Sequence, residues 1–143
     1  MYEIIQDAHA VWAYVVLLLL IVAVLIGLTG YATKRTFTAK DRLLMLLALI
    51  ATHIQLLIGL ILYVISPLGL LSLGEMKNAD IRLTSLEHPL VNLIALTLIT
   101  IGWSRHKKLV DSTAKFKTFA VFYGIGLLLI LSRIPWDLWF QKL

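Results

Sequence analysis

Residues 10–33, AVWAYVVLLLLIVAVLIGLTGYAT, form an unbroken run of 24 residues without a charged side chain. Because an α-helix rises about 1.5 Å per residue, roughly 20 such residues cross the ~30 Å hydrocarbon core of a bilayer. The acidic segment MYEIIQD precedes the run in place of the basic segment of a secretory signal, and no small-residue cleavage motif follows it. We therefore interpret it as a transmembrane helix that stays in the mature chain.

Three further apolar runs follow. Residues 43–74 contain no charged side chain and are interrupted only by His53, and residues 89–104 and 118–132 contain neither a charged side chain nor a histidine. Of the 143 residues, 60% are hydrophobic and only 15% are charged, which is more apolar surface than a soluble domain of this size can bury. The sequence thus predicts an all-α integral membrane protein, a single domain of four transmembrane helices at about residues 8–32, 42–66, 85–104 and 117–138.

Basic side chains gather in the first and third connections between these helices. They are Lys34, Arg35, Lys40 and Arg42 in the first, and Arg105, Lys107, Lys108, Lys115 and Lys117 in the third. The positive-inside rule places both connections in the cytoplasm, so we expect an up-down four-helix bundle with both termini on the periplasmic side. No stacking aromatic residues alternate with the basic ones, and we expect no nucleic-acid partner.

The stretch SLEHPLVNLIAL, residues 85–96, places Glu87 and His88 directly before the third apolar run. The 16 uncharged residues from 89 to 104 span only about 24 Å as a helix, which is short of the hydrocarbon core. The third helix must therefore include Glu87 and His88 at its outer end. Pro89 then lies in the first turn, where its missing N–H costs little.

The same count applies to the first and fourth helices. In the fourth helix only 15 uncharged residues lie at 118–132, so Arg133 must lie in the outer leaflet. In the first helix His9 directly precedes the apolar run and so lies at the same outer end. The first and third helices are parallel and diagonal in an up-down bundle, so His9 and His88 are expected to face each other. That is the arrangement that a bis-histidine haem iron requires, and Arg133 is a natural partner for haem propionates.

Other roles for these residues stay open at this point. His9 fits an ordinary interfacial side chain, His88 beside Glu87 fits a helix cap, and Glu87 with Arg133 fits a structural ion pair. A zinc or copper site built from Asp7, His9, Glu87 and His88 is a further alternative, which needs no cofactor-sized gap in the bundle.

The chain has two further histidines, His53 and His106, whose roles differ from those of His9 and His88. His53 lies 11 residues from Arg42, about 16 Å along the helix and roughly 10 Å deeper than His9 and His88, too far to share one iron. Its open roles are a second cofactor, a proton relay, a quinone contact or a hydrogen bond to a neighbouring helix. His106, among three basic residues, is expected to be a solvated surface side chain.

Small or polar residues are expected on the inward faces of membrane helices. They recur on the second helix at Ala48, Thr52, Gln55, Gly59 and Tyr63, and on the third at His88, Asn92, Ala95, Ile99 and Gly102. At 100° per residue, His53 points about 160° away from Gln55 and so does not share the inward face.

Several kinds of chemistry are excluded. The chain has no cysteine, so it has no disulfide, no thiolate cluster and no attachment motif for a c-type haem. It also lacks the H-E-x-x-H motif of metalloproteases, a glycine-rich phosphate loop and the G-x-S-x-G nucleophile elbow.

Five stretches resemble a group of short four-helix bacterial inner-membrane proteins that are described as cytochrome-b-like. They are DAHAVWAYVVL (7–17), ATHIQLLIGLILYVISP (51–67), LEHP (86–89), LITIGWSRHKK (98–108) and SRIPWDLW (132–139). The layout is also similar to one half of the haem A synthase family, although the fourth helix here has no histidine. The resemblance implies a bacterial inner-membrane location and haem binding by His9 and His88, with His53 as an additional candidate.

We therefore expect a b-type haem protein for electron transfer, linked to quinone, that acts as an accessory or respiratory-complex subunit rather than a free-standing enzyme. The candidate cofactor-binding residues are His9, His53, Glu87, His88 and Arg133, with His9 and His88 as the metal ligands. The expected partners are the lipid bilayer and other membrane subunits or further copies of the chain. The alternative is a cofactor-free structural subunit of a larger membrane complex.

Overall fold

The structure, a computed structural model, describes residues 1–141, and this part of the chain is helical without any strand. The α-helices are α1 (Tyr2–Thr33), α2 (Ala39–Ile65), α3 (Ala79–Arg82), α4 (His88–His106), α5 (Ser112–Ser132) and α6 (Trp136–Phe140). A π-helical turn, Leu83–Glu87, joins α3 to α4, and a 3-10 turn lies at Leu70–Ser72. The predicted all-α class is confirmed.

Four segments are long and apolar enough to cross a membrane, namely Tyr2–Thr33, Ala39–Ile65, Ala79–His106 and Ser112–Ser132. The third of them combines α3, the π turn and α4. Within the bundle, α1 and α4 each pack against both α2 and α5, so α1 and α4 lie diagonally opposite, as predicted. We call the end with the connections 34–38 and 107–111 the basic end. The opposite end, with Tyr2, the connection 66–78 and α6, is the His9 end.

α1 begins at Tyr2 instead of near residue 8, and α2 and α5 also begin earlier than predicted, because charged residues occupy the first turns. Thr38 and Asp41 form a capping box at the start of α2, and Arg35 binds the Asp41 carboxylate with two hydrogen bonds of 2.7 and 2.8 Å. These bonds raise the pKa of Arg35 above its ordinary value. Asp111 caps α5 by accepting a hydrogen bond from the backbone N–H of Ala114 at 2.8 Å. The lengths of the uncharged runs therefore placed the starts of α2 and α5 too late.

The predicted end of the fourth helix near residue 138 is wrong. α5 ends at Ser132, and Arg133 leaves the helical conformation with φ −130° and ψ 20°. Pro135 explains the break, because the residue before a proline is disfavoured in the α conformation. After the break, α6 lies against α1, where the rings of Tyr14 and Trp139 have centroids 4.7 Å apart.

The basic half of the bundle is filled by aromatic side chains. Phe116, Phe119 and Tyr123 have no exposed surface, and the Tyr123 hydroxyl donates a hydrogen bond to the Met45 carbonyl oxygen at 2.9 Å. This hydrogen bond satisfies the one polar group that Tyr123 brings into the core. These rings pack closely against one another, with the centroids of Phe119 and Tyr123 5.1 Å apart.

His106 belongs to this aromatic core, and its expected place on the solvated surface is wrong. The side chain is only 2% exposed, and its ring centroid lies 4.5 Å from that of Trp103 and 4.7 Å from that of Phe119. Its Nδ1 hydrogen-bonds to the Trp103 carbonyl oxygen. The helix continues two residues past the predicted end at 104, and the last turn directs His106 inward.

Candidate functional site

The His9 half of the bundle contains a partly open cavity of about 250 Å³ between α1, α2, α4 and the segment 134–139. Its walls are mainly aliphatic. The polar side chains among them include His9, Thr52, Gln55, Tyr63, His88 and Asn92. The volume lies just below the range of about 300–1,000 Å³ that is typical of small-molecule sites. Buried aromatic side chains thus occupy the core at the basic end. The cavity lies at the opposite end, where the sequence placed His9 and His88.

His9 and His88 meet across this cavity. Their ring centroids are 6.2 Å apart and the ring planes are inclined by 78°. The two side chains come from the diagonal helices α1 and α4, at the common depth that the count of uncharged residues predicted. A pair of imidazoles in an apolar cavity is a suitable donor set for a metal centre.

His88 is held in one orientation by the backbone beyond α5. Its Nδ1 lies 2.7 Å from the carbonyl oxygen of Arg133. Since a carbonyl oxygen only accepts, Nδ1 must carry the proton, and in the neutral ring Nε2 then keeps a free lone pair. Asn92 lies one turn away and donates to the His88 carbonyl oxygen at 2.6 Å. His88 is therefore prepared to act as an acceptor or a metal ligand through Nε2.

The helix that presents His88 begins with an irregularity. The π turn Leu83–Glu87 directly precedes His88, and π turns within helices are frequent at functional sites. Pro89 has no N–H to donate to the carbonyl oxygen of Ser85, four residues earlier, and the Tyr63 hydroxyl donates to that oxygen at 2.9 Å. The sequence predicted Tyr63 on the inward face of α2 but did not assign it this role.

His9 packs against α2 at two residues that the sequence predicted on the inward face without assigning them to the site. The Gln55 Nε2 donates to the His9 carbonyl oxygen at 2.9 Å and lies 3.5 Å from the imidazole Nε2. One turn further along α2, a Cβ atom added to Gly59 would come within 3.0 Å of the His9 Cε1. Gln55 and Gly59, which are four residues apart, thus line the edge of the imidazole ring.

Two buried side-chain atoms lack a hydrogen-bond partner in residues 1–141, and both are at this contact. They are the Nδ1 of His9 and the Oε1 of Gln55. Buried polar atoms without a partner are rare in folded proteins and call for an explanation. Here both occur on side chains that line the cavity.

Glu87 is paired with two arginines at the rim of the His9 end. Its Oε1 accepts a hydrogen bond from the Arg82 Nε at 2.9 Å, and its Oε2 lies 3.2 Å from the Arg133 Nε. The Glu87–Arg133 ion pair, one of the open alternatives, is confirmed. Arg82 was missed because no pattern in the sequence indicates that α3 brings it beside Glu87. Both arginine side chains are more than 40% exposed, so the pairs contribute little to stability.

The four-residue zinc or copper site does not form. Among the residues that the structure describes, no three histidine, cysteine, aspartate or glutamate side chains lie close enough to hold one metal ion. Glu87 is engaged by the arginines instead. This leaves His9 and His88 as a pair, which is enough for a cofactor that brings its own equatorial ligands.

His53 stands apart from the cavity. Its side chain is exposed on the outside of the bundle, and its Nδ1 donates to the carbonyl oxygen of Leu49 in its own helix at 2.8 Å. The alternative of a hydrogen bond to a neighbouring helix is therefore wrong for the described part of the chain. Its roles in a second cofactor site, a proton relay or a quinone contact stay predictions.

No protein-family model matches the sequence, and no curated protein and no solved structure matches it either. The chemistry of the site is therefore argued from its geometry.

Proposed function

We propose that the cavity binds haem b, with His9 and His88 as the two axial ligands of the iron, and that the protein transfers electrons within a membrane. The observation that carries this proposal is the 6.2 Å between the two ring centroids. A metal–nitrogen distance of about 2 Å on each side puts two facing imidazoles roughly 6 Å apart, centroid to centroid. The pair thus already has the spacing of ligands on opposite sides of one metal ion.

The hydrogen bonds of the two histidines fit such a centre. Metal-binding histidines generally donate their second ring nitrogen to a carbonyl or carboxylate oxygen, as His88 does to the Arg133 carbonyl oxygen. The Nδ1 of His9 is buried without a partner among residues 1–141, at a cost of about 1–3 kcal/mol for a typical buried polar group. A bound ligand removes this cost.

The apolar walls of the cavity exclude water, and its rim carries a net positive charge. Its aliphatic walls suit a porphyrin ring, and those side chains have to move outward because the cavity is small. At the rim, Arg82 and Arg133 together carry two positive charges against the single negative charge of Glu87. The net positive charge favours the carboxylates of haem propionates there.

The bound haem would supply one-electron chemistry. His9 and His88 would both be occupied in holding the haem, so no coordination position would remain for a substrate, which favours electron transfer over turnover of a substrate. The surrounding apolar residues belong to helices long enough to span a bilayer, so a membrane-soluble quinone is the electron partner that we propose.

The distribution of charge supports the cellular setting that we propose. The basic end carries nine lysine and arginine residues, in its two connections and in the helix ends beside them, which supports a cytoplasmic basic end and a periplasmic N-terminus in a bacterial inner membrane. A bundle of four apolar helices with a cavity of this kind suits an accessory or respiratory-complex subunit. Its partners would be other membrane subunits or further copies of itself.

One observation favours the second candidate, a cofactor-free structural subunit of a larger complex. The polar ring of His53 is exposed on the outside of α2, in the middle of a helix that is otherwise apolar there. Such a side chain is costly in lipid and suits a contact with a partner helix.

Purified protein decides between the two candidates. We expect about one haem per chain and a low-spin, bis-histidine reduced-minus-oxidised spectrum from cells that are supplied with haem precursors. His9→Ala and His88→Ala should each lose this spectrum, whereas His53→Ala, the matched control on the outside of the bundle, should keep it. A colourless protein that also fails to take up added haem supports the structural subunit. Undiminished haem in both alanine variants would contradict the ligand assignment.

A further inference from the structure

We infer that the basic end binds the phosphate of an anionic phospholipid headgroup through three cations, Arg42, Lys107 and Lys115. This site goes beyond the proposed haem function and is independent of it, because it lies at the opposite end of the bundle from His9 and His88. The three side chains gather around one set of aromatic rings, have no carboxylate partner and lie near the ends of the long apolar helices.

Two of the cations lie over aromatic rings that contact His106. The Arg42 guanidinium lies 5.0 Å from the centroid of the Trp103 ring, and the Lys115 Nζ lies 5.4 Å from that of Phe37. Trp103 and Phe37 in turn lie against His106, with centroid distances of 4.5 and 6.1 Å. Because a cation is attracted to the face of an aromatic ring, these contacts fix two charges from α2 and α5 around one buried side chain.

Lys107 is the third cation, because it directly follows His106 at the end of α4. The charges of Arg42, Lys115 and Lys107 all act on the His106 ring. Arg42 and Lys107 are exposed and Lys115 is half-buried, so an anion outside the bundle can contact them. We call Arg42, Lys107 and Lys115 the cation cluster.

No carboxylate neutralises the cation cluster within residues 1–141. The basic end has nine lysine and arginine residues but only two acidic ones, Asp41 and Asp111. Asp41 forms its ion pair with Arg35 at 2.7 Å, and Asp111 caps α5. The other ion pairs of the described chain lie at the His9 end. Like charges that are held together without a counter-ion repel each other, so binding of an anion is favourable here.

The helix ends add to the positive potential of the cation cluster. Arg42 is the fourth residue of α2, and Lys115 is the fourth residue of α5. The first turn of a helix carries the positive end of the helix dipole, where a basic side chain is unfavourable and an anion is favourable. A phosphate bound beside these two residues would offset both unfavourable interactions.

The depth of the cation cluster indicates which anion it meets. Each of its members lies within three residues of an apolar run, 43–74, 89–104 or 118–132. The cluster therefore lies where the hydrocarbon core gives way to the headgroup layer. Phospholipid phosphates lie in this layer, and basic side chains at the ends of membrane helices suit an anionic headgroup. The expected ligand is thus a lipid such as phosphatidylglycerol rather than soluble phosphate.

The test is equilibrium binding of a fluorescent phosphatidylglycerol to the full chain in detergent, at about 1 M salt. The Debye length is then only about 3 Å, so the diffuse attraction of the whole basic end is screened and direct contacts dominate. Unlabelled phosphatidylglycerol, phosphatidylcholine and inorganic phosphate are added as competitors. We expect only unlabelled phosphatidylglycerol to displace the probe efficiently.

A variant with Arg42→Gln, Lys107→Gln and Lys115→Gln together should bind the probe about 10- to 100-fold more weakly, because each basic contact with an anionic lipid contributes favourably. Circular dichroism and thermal unfolding check that this variant is folded. Wild-type affinity in the folded variant would overturn the inference.

The matched control combines Lys34→Gln, Lys40→Gln and Lys108→Gln. It removes the same amount of charge from the same end but leaves the cation cluster intact, so it should bind within about 2-fold of the wild type at this salt concentration. An equal loss in both variants would overturn the inference, because the net charge of the basic end would then explain the binding.

If the cluster variant does not fold, Lys107→Glu replaces it, with the neighbouring Lys108→Glu as its control. Both lysines are exposed, so these substitutions leave the packing of the aromatic rings unchanged. Displacement by inorganic phosphate as strong as that by phosphatidylglycerol would overturn the lipid assignment, and equal displacement by phosphatidylcholine would overturn recognition by charge. None of these results affects the proposed haem function, which haem binding tests separately.

Discussion

The Tyr63 hydroxyl donates a hydrogen bond of 2.9 Å to the carbonyl oxygen of Ser85, the oxygen that Pro89 cannot reach with an N–H of its own. This bond connects α2 to the π turn directly before His88. The orientation of one proposed ligand therefore depends on a residue of another helix.

Tyr63→Phe should destabilise the protein by roughly 1 kcal/mol, because the buried Ser85 residue loses a hydrogen-bond donor while the aromatic packing is kept. Thermal unfolding in detergent measures this change. Tyr14→Phe is the matched control, because Tyr14 contacts Trp139 through its ring. Equal stability of the two variants would show that the bond to Ser85 contributes nothing.

Gly59→Ala should weaken haem binding about 10-fold while leaving the helix content unchanged. The added Cβ lies 3.0 Å from the His9 Cε1, so the imidazole must shift by a few tenths of an ångström, and alanine is the better helix former. Haem titration followed by absorbance measures the affinity, and circular dichroism measures the helix content. Gly74→Ala, at a glycine with open space around it, is the control. Unchanged haem affinity in Gly59→Ala would show that the close contact between the His9 ring and Gly59 of α2 does not position the ligand.

Arg133→Gln should lower haem affinity about 10- to 100-fold, because a charge-assisted hydrogen bond to a propionate contributes roughly 1.5–3 kcal/mol. The bond between His88 and the Arg133 backbone is kept in this variant. Glu87→Gln leaves both arginines in place and should not weaken binding. Haem titrations of both variants test this difference. Equal losses in the two would indicate that the ion pair, rather than the positive charge of Arg133, is required.

Asp41→Asn should destabilise the basic end by about 1–3 kcal/mol, since the carboxylate is 6% exposed, binds Arg35 and caps α2 together with Thr38. Unfolding in increasing SDS is the measurement. Asp111→Asn is the matched control, because asparagine caps a helix as well as aspartate does. A similar loss for both substitutions would mean that the ion pair with Arg35 adds nothing.

The depth of the candidate ligands could be predicted from the sequence because the lengths of the uncharged runs are measured against a fixed bilayer thickness. That count placed His9 and His88 at one level, and their rings lie 6.2 Å apart. The lengths of the uncharged runs did not predict the helix ends, because capping carboxylates and the local backbone conformation determine where a helix begins and stops. Asp41 and Asp111 lie in or beside a first turn, and Pro135 ends α5 early.

The contacts of the site could not be predicted because they depend on how the helices are rotated against each other. Gln55 and Gly59 were correctly assigned to the inward face of α2, and both line the cavity. A periodic pattern does not say that α1 turns His9 toward exactly these two residues rather than their neighbours. Arg82 was invisible for another reason: a four-residue helix has too few residues to show any period.

The early end of α5 changes how a ligand would enter. Beside the cavity, the flank that a longer fourth helix would have closed is instead covered by Ile134, Pro135, Leu138 and Trp139. Because these residues follow the break at Arg133, displacing them would open the cavity sideways without separating any pair of the long helices. A bulky, sparingly soluble ligand could then enter the cavity from within the bilayer. Shortening the side chains that cover this flank should therefore speed the exchange of the ligand.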